Sequence, residues 1–203
     1  MKAPPHALEI LQALQAFGLS HSDPDTTTFH DALQNWGDQW IPLEPRLLPA
    51  TKNLKRGIET ASPETRGLIE LFDQHKSLLY WEQTYSKKDA FISEAMLADY
   101  GYAELIGTRG PFVSDRIRCG VGIYGANITY PMHWHLAEEI YIPLSGGARY
   151  TIGDKPETRH GPGEVVFVKS NTPHEFSTDD EALVVFYLWQ AGDLRQVSEF
   201  SNA

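Results

Sequence analysis

The sequence predicts an α+β protein, with a helical N-terminal half over residues 1–100 and an antiparallel β-barrel over residues 101–203. Two observations support this division. Apolar residues recur at helical spacing up to about residue 100, and after Gly101 they alternate with polar residues, as in strands. Short turn segments rich in Gly and Pro separate the alternating runs, which is typical of antiparallel sandwiches and barrels.

The N-terminal half is predicted to contain five helices. The clearest start signal is Ser62-Pro63-Glu64, because a hydroxyl before the first turn, Pro at its first position and an early acidic residue all favour a helix start. The five predicted segments are residues 7–17 with a stop at Gly18, a stretch from Asp25 to Gly37, residues 51–59, residues 62–85 and residues 93–99.

Aromatic side chains are frequent in this half, and we expect them to pack as core against the barrel rather than to contact a cofactor. They are Trp36, Trp40, Tyr80, Trp81 and Tyr85. In the alternative interpretation, the polar segment 80–89 is a lid over a site in the second half of the chain.

Alternating runs in the second half predict seven strands. They cover residues 102–107, 117–124, 133–135, 139–144, 148–152, 164–169 and 183–189. Turn signals lie between them, for example Gly125-Ala126-Asn127 and Gly161-Pro162-Gly163. Cys119, the single cysteine, lies in the second of these runs and is interpreted as a small buried hydrophobic residue.

Composition argues against several classes of partner. The formal net charge is −10, and phosphate binding needs clustered Lys and Arg, so nucleic acids and anionic membrane surfaces are disfavoured. No run approaches the ~20 apolar residues of a membrane span, and Glu9 and Gln12 interrupt the N-terminal segment, unlike a secretory signal. With one cysteine no internal disulfide can form, so we expect a cytoplasmic protein. Its acidic surface is compatible with a cationic or zwitterionic small substrate.

The pattern that indicates chemistry is His133-Trp134-His135 followed by Glu139. Residues two apart share one face of a strand, so both imidazoles point the same way, and the next strand directs Glu139 and Tyr141 towards them. Imidazole and carboxylate groups that converge on one point suit a divalent transition metal. Zn²⁺ and Fe²⁺ are favoured, and Mn²⁺, Co²⁺ and Ni²⁺ are also compatible.

Two segments resemble the motifs of the cupin family. Residues 133–146 resemble the first motif, although Asn127 stands where that motif usually has Gly, and residues 161–176 resemble the second, which ends in Pro173-His174. The resemblance implies a cupin barrel, also called a double-stranded β-helix or jelly roll. It also implies that the metal ligands are His133, His135, Glu139 and His174.

Tyr141 is a candidate general base, because it lies two residues beyond Glu139 on the same predicted strand face. A phenol ordinarily titrates near pH 10, and a nearby divalent cation lowers that pKa because it favours the phenolate. The alternative interpretation is that this side chain only fills the interior of the barrel.

Longer stretches around these motifs resemble the bacterial cupin-type dimethylsulfoniopropionate (DMSP) lyases, most closely the DddQ type. These stretches are residues 109–115, 118–125, 130–131 and 138–141. The resemblance implies β-elimination of the zwitterion DMSP to dimethyl sulfide and acrylate. It implies that Tyr141 removes the α proton, that Tyr130 orients the substrate or the base, and that Trp189 contacts the substrate. Tyr124 is a further candidate contact for the sulfonium cation.

Two other functions fit the same ligands, because one barrel hosts many reactions. An Fe(II)-dependent cupin oxygenase acting on a small carboxylate would require O₂, whereas a lyase needs no oxidant. A cupin that binds a metal or a ligand without catalysis would show affinity without turnover. Cupins often pair their barrels, so the sequence is compatible with a monomer or a homodimer.

Overall fold

The computed structural model describes residues 2–200 of the chain. Within this range six α-helices precede most of the strands. They are α1 (Pro5–Ser20), α2 (Pro24–Thr27), α3 (His30–Gln34), α4 (Asn53–Thr60), α5 (Pro63–His75) and α6 (Glu94–Asp99). Two 3₁₀ turns, Pro49–Lys52 and Lys76–Leu78, precede α4 and follow α5. None of the helices in residues 2–200 combines the length and the apolar composition needed to cross a membrane.

Helix α5 begins where the sequence predicts, but the prediction that it extends to about residue 85 is wrong. It ends at His75, and the chain beyond the following 3₁₀ turn is extended because its backbone pairs with two other segments. The Trp81 N–H donates to the Arg46 carbonyl at 2.9 Å, and Glu82 exchanges two backbone hydrogen bonds with Tyr102. Apolar residues continue at helical spacing past the true end, so the pattern alone indicates a longer helix.

Two further helix predictions need correction. Gly18 lies inside α1 rather than at its end, and a Cβ on this residue would lie 2.6 Å from Leu33 Cδ2, so the glycine allows α1 to pack closely on α3. The single helix predicted from Asp25 to Gly37 is instead two short helices, α2 and α3.

Twelve strands form two sheets in the described part of the chain. They are β1 (Gln39–Trp40), β2 (Tyr100–Gly107), β3 (Phe112–Val113), β4 (Ile117–Tyr124), β5 (Thr129–Trp134), β6 (Glu138–Ser145), β7 (Ala148–Ile152), β8 (Thr158–His160), β9 (Val166–Val168), β10 (His174–Thr178), β11 (Leu183–Gln190) and β12 (Glu199–Phe200). The seven-stranded sheet has the order β1-β3-β2-β4-β11-β6-β9, and the five-stranded sheet has the order β12-β5-β10-β7-β8.

The two sheets contribute side chains to a shared interior. Phe176 of the five-stranded sheet packs edge-on against Tyr124 of the seven-stranded sheet, with ring centroids 4.8 Å apart, and it also contacts Tyr141. No ladder of strand pairing joins the sheets within residues 2–200. The fold is therefore cupin-like, with N-terminal helices and two facing sheets, and the closed barrel of the prediction is not confirmed.

Strand β10 is missing from the sequence prediction, although it carries His174. Its inward-facing residues are His174, Phe176 and Thr178, so the strand lacks the aliphatic alternation by which the other strands are recognised. It pairs with β5 in a register that places His174 opposite His133. This pairing brings the two cupin motifs together.

The helices cover the outer face of the seven-stranded sheet. Ile10 and Leu14 of α1 and Phe72 of α5 share one apolar core with Ile142 of β6 and Phe186 of β11, and all five side chains are fully buried. Because side chains alternate along each strand, the other face of the same strands is left for the interior between the sheets.

Candidate metal centre and cavity

Three histidines form a buried cluster between the sheets. His133 lies on β5, His135 follows the end of that strand, and His174 begins β10 opposite His133. One ring nitrogen from each of the three lies within 4.8 Å of the others, and each residue is at most 2% exposed. The structure thus brings together the histidines of both motifs, as the sequence predicts.

Backbone carbonyls fix the orientation of all three imidazole rings. The Nδ1 atoms of His133, His135 and His174 lie 2.8, 3.0 and 2.9 Å from the carbonyl oxygens of Pro131, Ala137 and Thr172. A carbonyl oxygen can only accept a hydrogen bond, so each Nδ1 carries a proton, and a ring without a second proton offers the lone pair of its Nε2 atom to a ligand. Burial, together with the neighbouring His174, lowers the pKa of His133 well below its usual value and keeps that ring neutral.

Glu139 contributes a carboxylate to the same cluster. Its Oε2 atom lies 2.9 Å from His135 Nε2 and 3.5 Å from His174 Nε2. Burial opposes ionisation of this carboxyl, but the contacts with His135 and His174, when those rings carry a proton on Nε2, outweigh it and lower the pKa of Glu139. A lone pair and a carboxylate at these distances repel each other unless a proton or a cation lies between them.

These residues fit a divalent metal ion. His174 Nε2 is buried and has no hydrogen-bond partner among residues 2–200, which is a costly arrangement for a polar atom without a ligand. Neutral imidazole nitrogens beside an ionised carboxylate are the donors that Zn²⁺ and Fe²⁺ take in proteins. The buried histidine group can therefore hold a metal.

A cavity opens next to the cluster on the inner face of the seven-stranded sheet. Its wall includes Glu139, Tyr141, Tyr124, Tyr130 and Trp189, so every candidate catalytic or substrate-contacting residue of the sequence analysis lies in it. Burial, followed by the charge of Glu139, raises the pKa of Tyr141 well above its usual value. The Tyr141 ring lies 6.3 Å from the ring of His174.

Tyr130 is fixed on two sides. Its ring stacks on His133 with a centroid separation of 4.1 Å, and its hydroxyl lies 2.6 Å from the Tyr85 hydroxyl and 3.4 Å from the hydroxyl of Ser198. Tyr85 packs against the cluster of buried residues between the sheets, as predicted, and it also lines the cavity. The reason is the extended course of the chain after α5, which carries Tyr85 across the cavity rather than onto the helical core.

Trp189 lies between the histidine cluster and a buried arginine. Its ring stacks on His135 at 4.0 Å, and the guanidinium carbon of Arg118 lies 4.7 Å from the centroid of the same ring. On the sheet, Trp189 is directly opposite Glu139 on one neighbouring strand and Arg118 on the other. The indole therefore forms the part of the cavity wall between the histidine cluster and the Arg118 guanidinium.

Comparison with known proteins shows what this geometry resembles. The profile of the dimethylsulfoniopropionate lyase family matches residues 30–185. The chain belongs to this family. It is 30% identical over 153 residues to dimethylsulfoniopropionate lyase DddQ of Ruegeria pomeroyi, which covers 75% of each chain. It is 26% identical to a putative dimethylsulfoniopropionate lyase DddL of Cereibacter sphaeroides, and the match covers 74% of this chain and 63% of that one.

Solved structures of DMSP lyases agree with the family assignment. The crystal structure of DddQ from Ruegeria pomeroyi superposes with a TM-score of 0.82 at 25% identity, covering 98% of both chains. A structure from a study of the DMSP lyases RdDddP and RnDddQII gives a TM-score of 0.85 at 25% identity, covering 97% of this chain and 98% of that one. Membership of the DMSP lyase family makes the chain a carbon–sulfur lyase.

Several residues that line the cavity of this DMSP lyase family member have no role in the sequence analysis, and three of them carry a polar group on the inner face of the seven-stranded sheet. They are Tyr102, Arg118 and Tyr187. The strand period could have found two of them, because Arg118 shares the face of Tyr124 on β4, and Tyr187 shares the face of Trp189 on β11.

Proposed function

We propose that the chain cleaves DMSP to dimethyl sulfide and acrylate, with Tyr141 as the base that removes the α proton. The observation that carries this proposal is the position of Tyr141, in the cavity wall beside Glu139 and the histidine cluster. The family profile and DddQ of Ruegeria pomeroyi are named as dimethylsulfoniopropionate lyases, which supports DMSP as the substrate.

His133, His135, His174 and Glu139 would hold the metal, for which Zn²⁺ and Fe²⁺ are the best candidates. A bound divalent cation would supply positive charge that lowers the pKa of a nearby phenol and stabilises negative charge developing on the substrate. The residues alone have the opposite effect, because burial and the Glu139 carboxylate keep the proton on Tyr141. The proposed reaction is therefore expected to depend on metal.

The bond changes of the proposed elimination balance without an oxidant. The Tyr141 phenolate takes the α proton, the electrons of that C–H bond form the double bond of acrylate, and the C–S electrons leave with sulfur. Dimethyl sulfide departs as a neutral molecule, so the leaving group needs no acid. Tyr130, held by Tyr85, would orient the substrate, and the ring face of Tyr124 would contact the sulfonium. Trp189 would contact the substrate as the part of the wall beside Arg118.

The test is headspace gas chromatography for dimethyl sulfide, with metal-loaded protein and DMSP in the presence and absence of O₂ and of a chelator. We expect release that is unaffected by O₂ and lost on chelation. A strict requirement for O₂ would instead support an oxygenase. Absence of any release from metal-loaded protein would contradict the proposal and leave a metal-binding cupin without this activity.

A further inference from the structure

The cavity wall contains a buried cation that the elimination described above does not use. The Arg118 side chain is 8% exposed, its Nε donates to Glu104 Oε2 at 2.5 Å, and its Nη1 donates to the Leu194 carbonyl at 3.4 Å. Its Nη2 has no hydrogen-bond partner among residues 2–200. Arg118 lines the cavity whereas Glu104 does not, so the positive end of this ion pair faces the cavity.

Glu104 is itself held rigidly behind the arginine. Its Oε1 atom accepts the backbone N–H groups of Arg109 at 2.8 Å and Gly110 at 3.1 Å. A buried ion pair is weak support for stability, because apolar side chains of the same volume often serve as well or better. An arginine fixed in this way in the wall of a cavity is suited to binding a ligand.

A second unused donor lies next to Arg118. Tyr187 lines the same cavity, and its hydroxyl is buried without a hydrogen-bond partner in the described part of the chain. On the sheet it is opposite Gly120, two residues from Arg118, and on its other side it is opposite Tyr141. Gly120 itself is packed against β2, since a Cβ there would lie 2.1 Å from the Ala103 carbonyl oxygen, so the subsite is formed by the side chains of Arg118 and Tyr187 alone.

We propose that Arg118 and Tyr187 form a subsite that binds a carboxylate. A guanidinium and a phenol both donate hydrogen bonds, and an oxyanion accepts both, whereas the charge of Arg118 repels a sulfonium. This inference deepens the proposed function and rests on it, because Tyr187 is the cross-strand neighbour of Tyr141. A carboxylate bound by Tyr187 has its α carbon beside the proposed base, and the sulfonium then extends towards Tyr124 and Tyr130.

Two sources could supply the carboxylate. One is the single carboxylate of a substrate such as DMSP, and the other is the distal carboxylate of a dicarboxylate whose first carboxylate lies at the histidine cluster. Isothermal titration calorimetry with propionate and with succinate distinguishes them, since neither acid carries a sulfonium and neither undergoes the elimination. Both titrations use metal-loaded full-length protein.

Three variants test the subsite. Tyr187→Phe removes a hydroxyl that has no protein partner in residues 2–200, so its loss leaves packing intact. Tyr150→Phe is the matched control, because its hydroxyl is also buried and unpartnered but does not line this cavity. The double variant Glu104→Gln with Arg118→Met removes the cation without leaving an unpaired buried carboxylate.

We expect the dissociation constant of the ligand to rise about fivefold in Tyr187→Phe and at least about tenfold in the double variant, with no change in Tyr150→Phe. If the variants lose affinity for propionate, the substrate's own carboxylate is the occupant. If they lose affinity for succinate alone, the occupant is a distal carboxylate. Affinities for both acids that are unchanged in Tyr187→Phe and in the double variant would overturn the proposal.

The binding readout separates this inference from the proposed reaction. Carboxylate binding that depends on Arg118 and Tyr187, in a protein that releases no dimethyl sulfide, contradicts the lyase proposal alone. Dimethyl sulfide release with carboxylate binding indifferent to these residues contradicts the subsite alone. If the double variant does not fold, as judged by circular dichroism, Tyr187→Phe against Tyr150→Phe decides the result.

Discussion

The two faces of the seven-stranded sheet are formed by the same strands, but one face carries apolar side chains that pack on helices and the other carries polar and aromatic side chains that line a cavity. Along β6, Ile140 and Ile142 face the helices, while Glu139 and Tyr141 face the cavity. Along β11, Phe186 packs against the helices, and its neighbours in sequence belong to the interior. Residues adjacent in the chain therefore have different surroundings, one in the apolar core under the helices and the next in the interior between the sheets.

The difference has a physical cause. The outer face meets amphipathic helices, and only apolar side chains can fill that contact without leaving unpaired polar groups. The inner face lines a cavity, where a hydroxyl or a charge can meet a ligand. Substitutions on the outer face should thus change the free energy of unfolding, and those on the inner face should change the reaction.

The largest effect is expected for Tyr141→Phe. Loss of the proposed base should lower dimethyl sulfide release about 10²–10⁴-fold, the usual contribution of a positioned general base. Metal content, measured by plasma mass spectrometry, should stay at the wild-type level. Tyr150→Phe makes the same chemical change outside the cavity wall and should retain activity. Wild-type release by the Tyr141 variant with metal bound would mean that another group takes the proton.

The opposite pattern is expected one residue further along the strand, for Ile142→Ala. Ile142 is fully buried in the outer core, so the substitution should lower the free energy of unfolding by about 2–5 kcal/mol. Urea denaturation measures this loss. Activity per folded molecule should remain close to wild type at temperatures where the variant is folded. A variant of normal stability with reduced turnover would contradict the division between the two faces.

The sequence pattern predicted the inner face correctly at the histidine cluster, where the two cupin motifs place several candidate ligands close together in the sequence. His133 and His135 share a strand face by spacing alone, and the pairing of β10 with β5 brings His174 to them. The strand β10 itself was missed, because its inward residues are a histidine, a phenylalanine and a threonine rather than aliphatic ones. Strands are recognised by apolar residues at their inward positions, and β10 has polar residues at two of those positions, so the usual pattern does not reveal it.

Prediction failed for contacts that depend on tertiary pairing. Helical spacing continues past His75, but backbone pairing of Trp81 and Glu82 with distant segments ends the helix and carries Tyr85 to the cavity. The position of Arg118 in the cavity wall depends on its ion pair with Glu104, which lies on the adjacent strand, and no local sequence pattern indicates that pairing. Closure of the two sheets into a barrel likewise depends on hydrogen bonding between edge strands that are far apart in the sequence, which no local pattern indicates.

A smaller effect is expected for Trp189→Phe on the inner face. The indole contacts both His135 and Arg118, and a phenyl ring keeps an apolar wall with a weaker cation–π surface. Dimethyl sulfide release should fall about tenfold, equivalent to about 1.4 kcal/mol. Thermal unfolding of Phe186→Leu, on the outer face of the same strand, provides the comparison, since that variant should lose stability rather than activity. Equal losses of activity in both variants would show that the two faces are coupled.

The smallest effect concerns Cys119, whose reactivity measures whether the helices stay packed on the outer face of the sheet. The residue is fully buried among the side chains under the helices, and burial raises the pKa of its thiol well above the usual value. Both factors suppress the thiolate that reacts with alkylating and disulfide reagents. Native protein should therefore show no reaction with Ellman's reagent, and the same protein in urea should release one equivalent, because the chain has 1 cysteine. Rapid reaction of the native protein would mean that the helices separate from the sheet under native conditions, and cohesion could then no longer be assigned to that face.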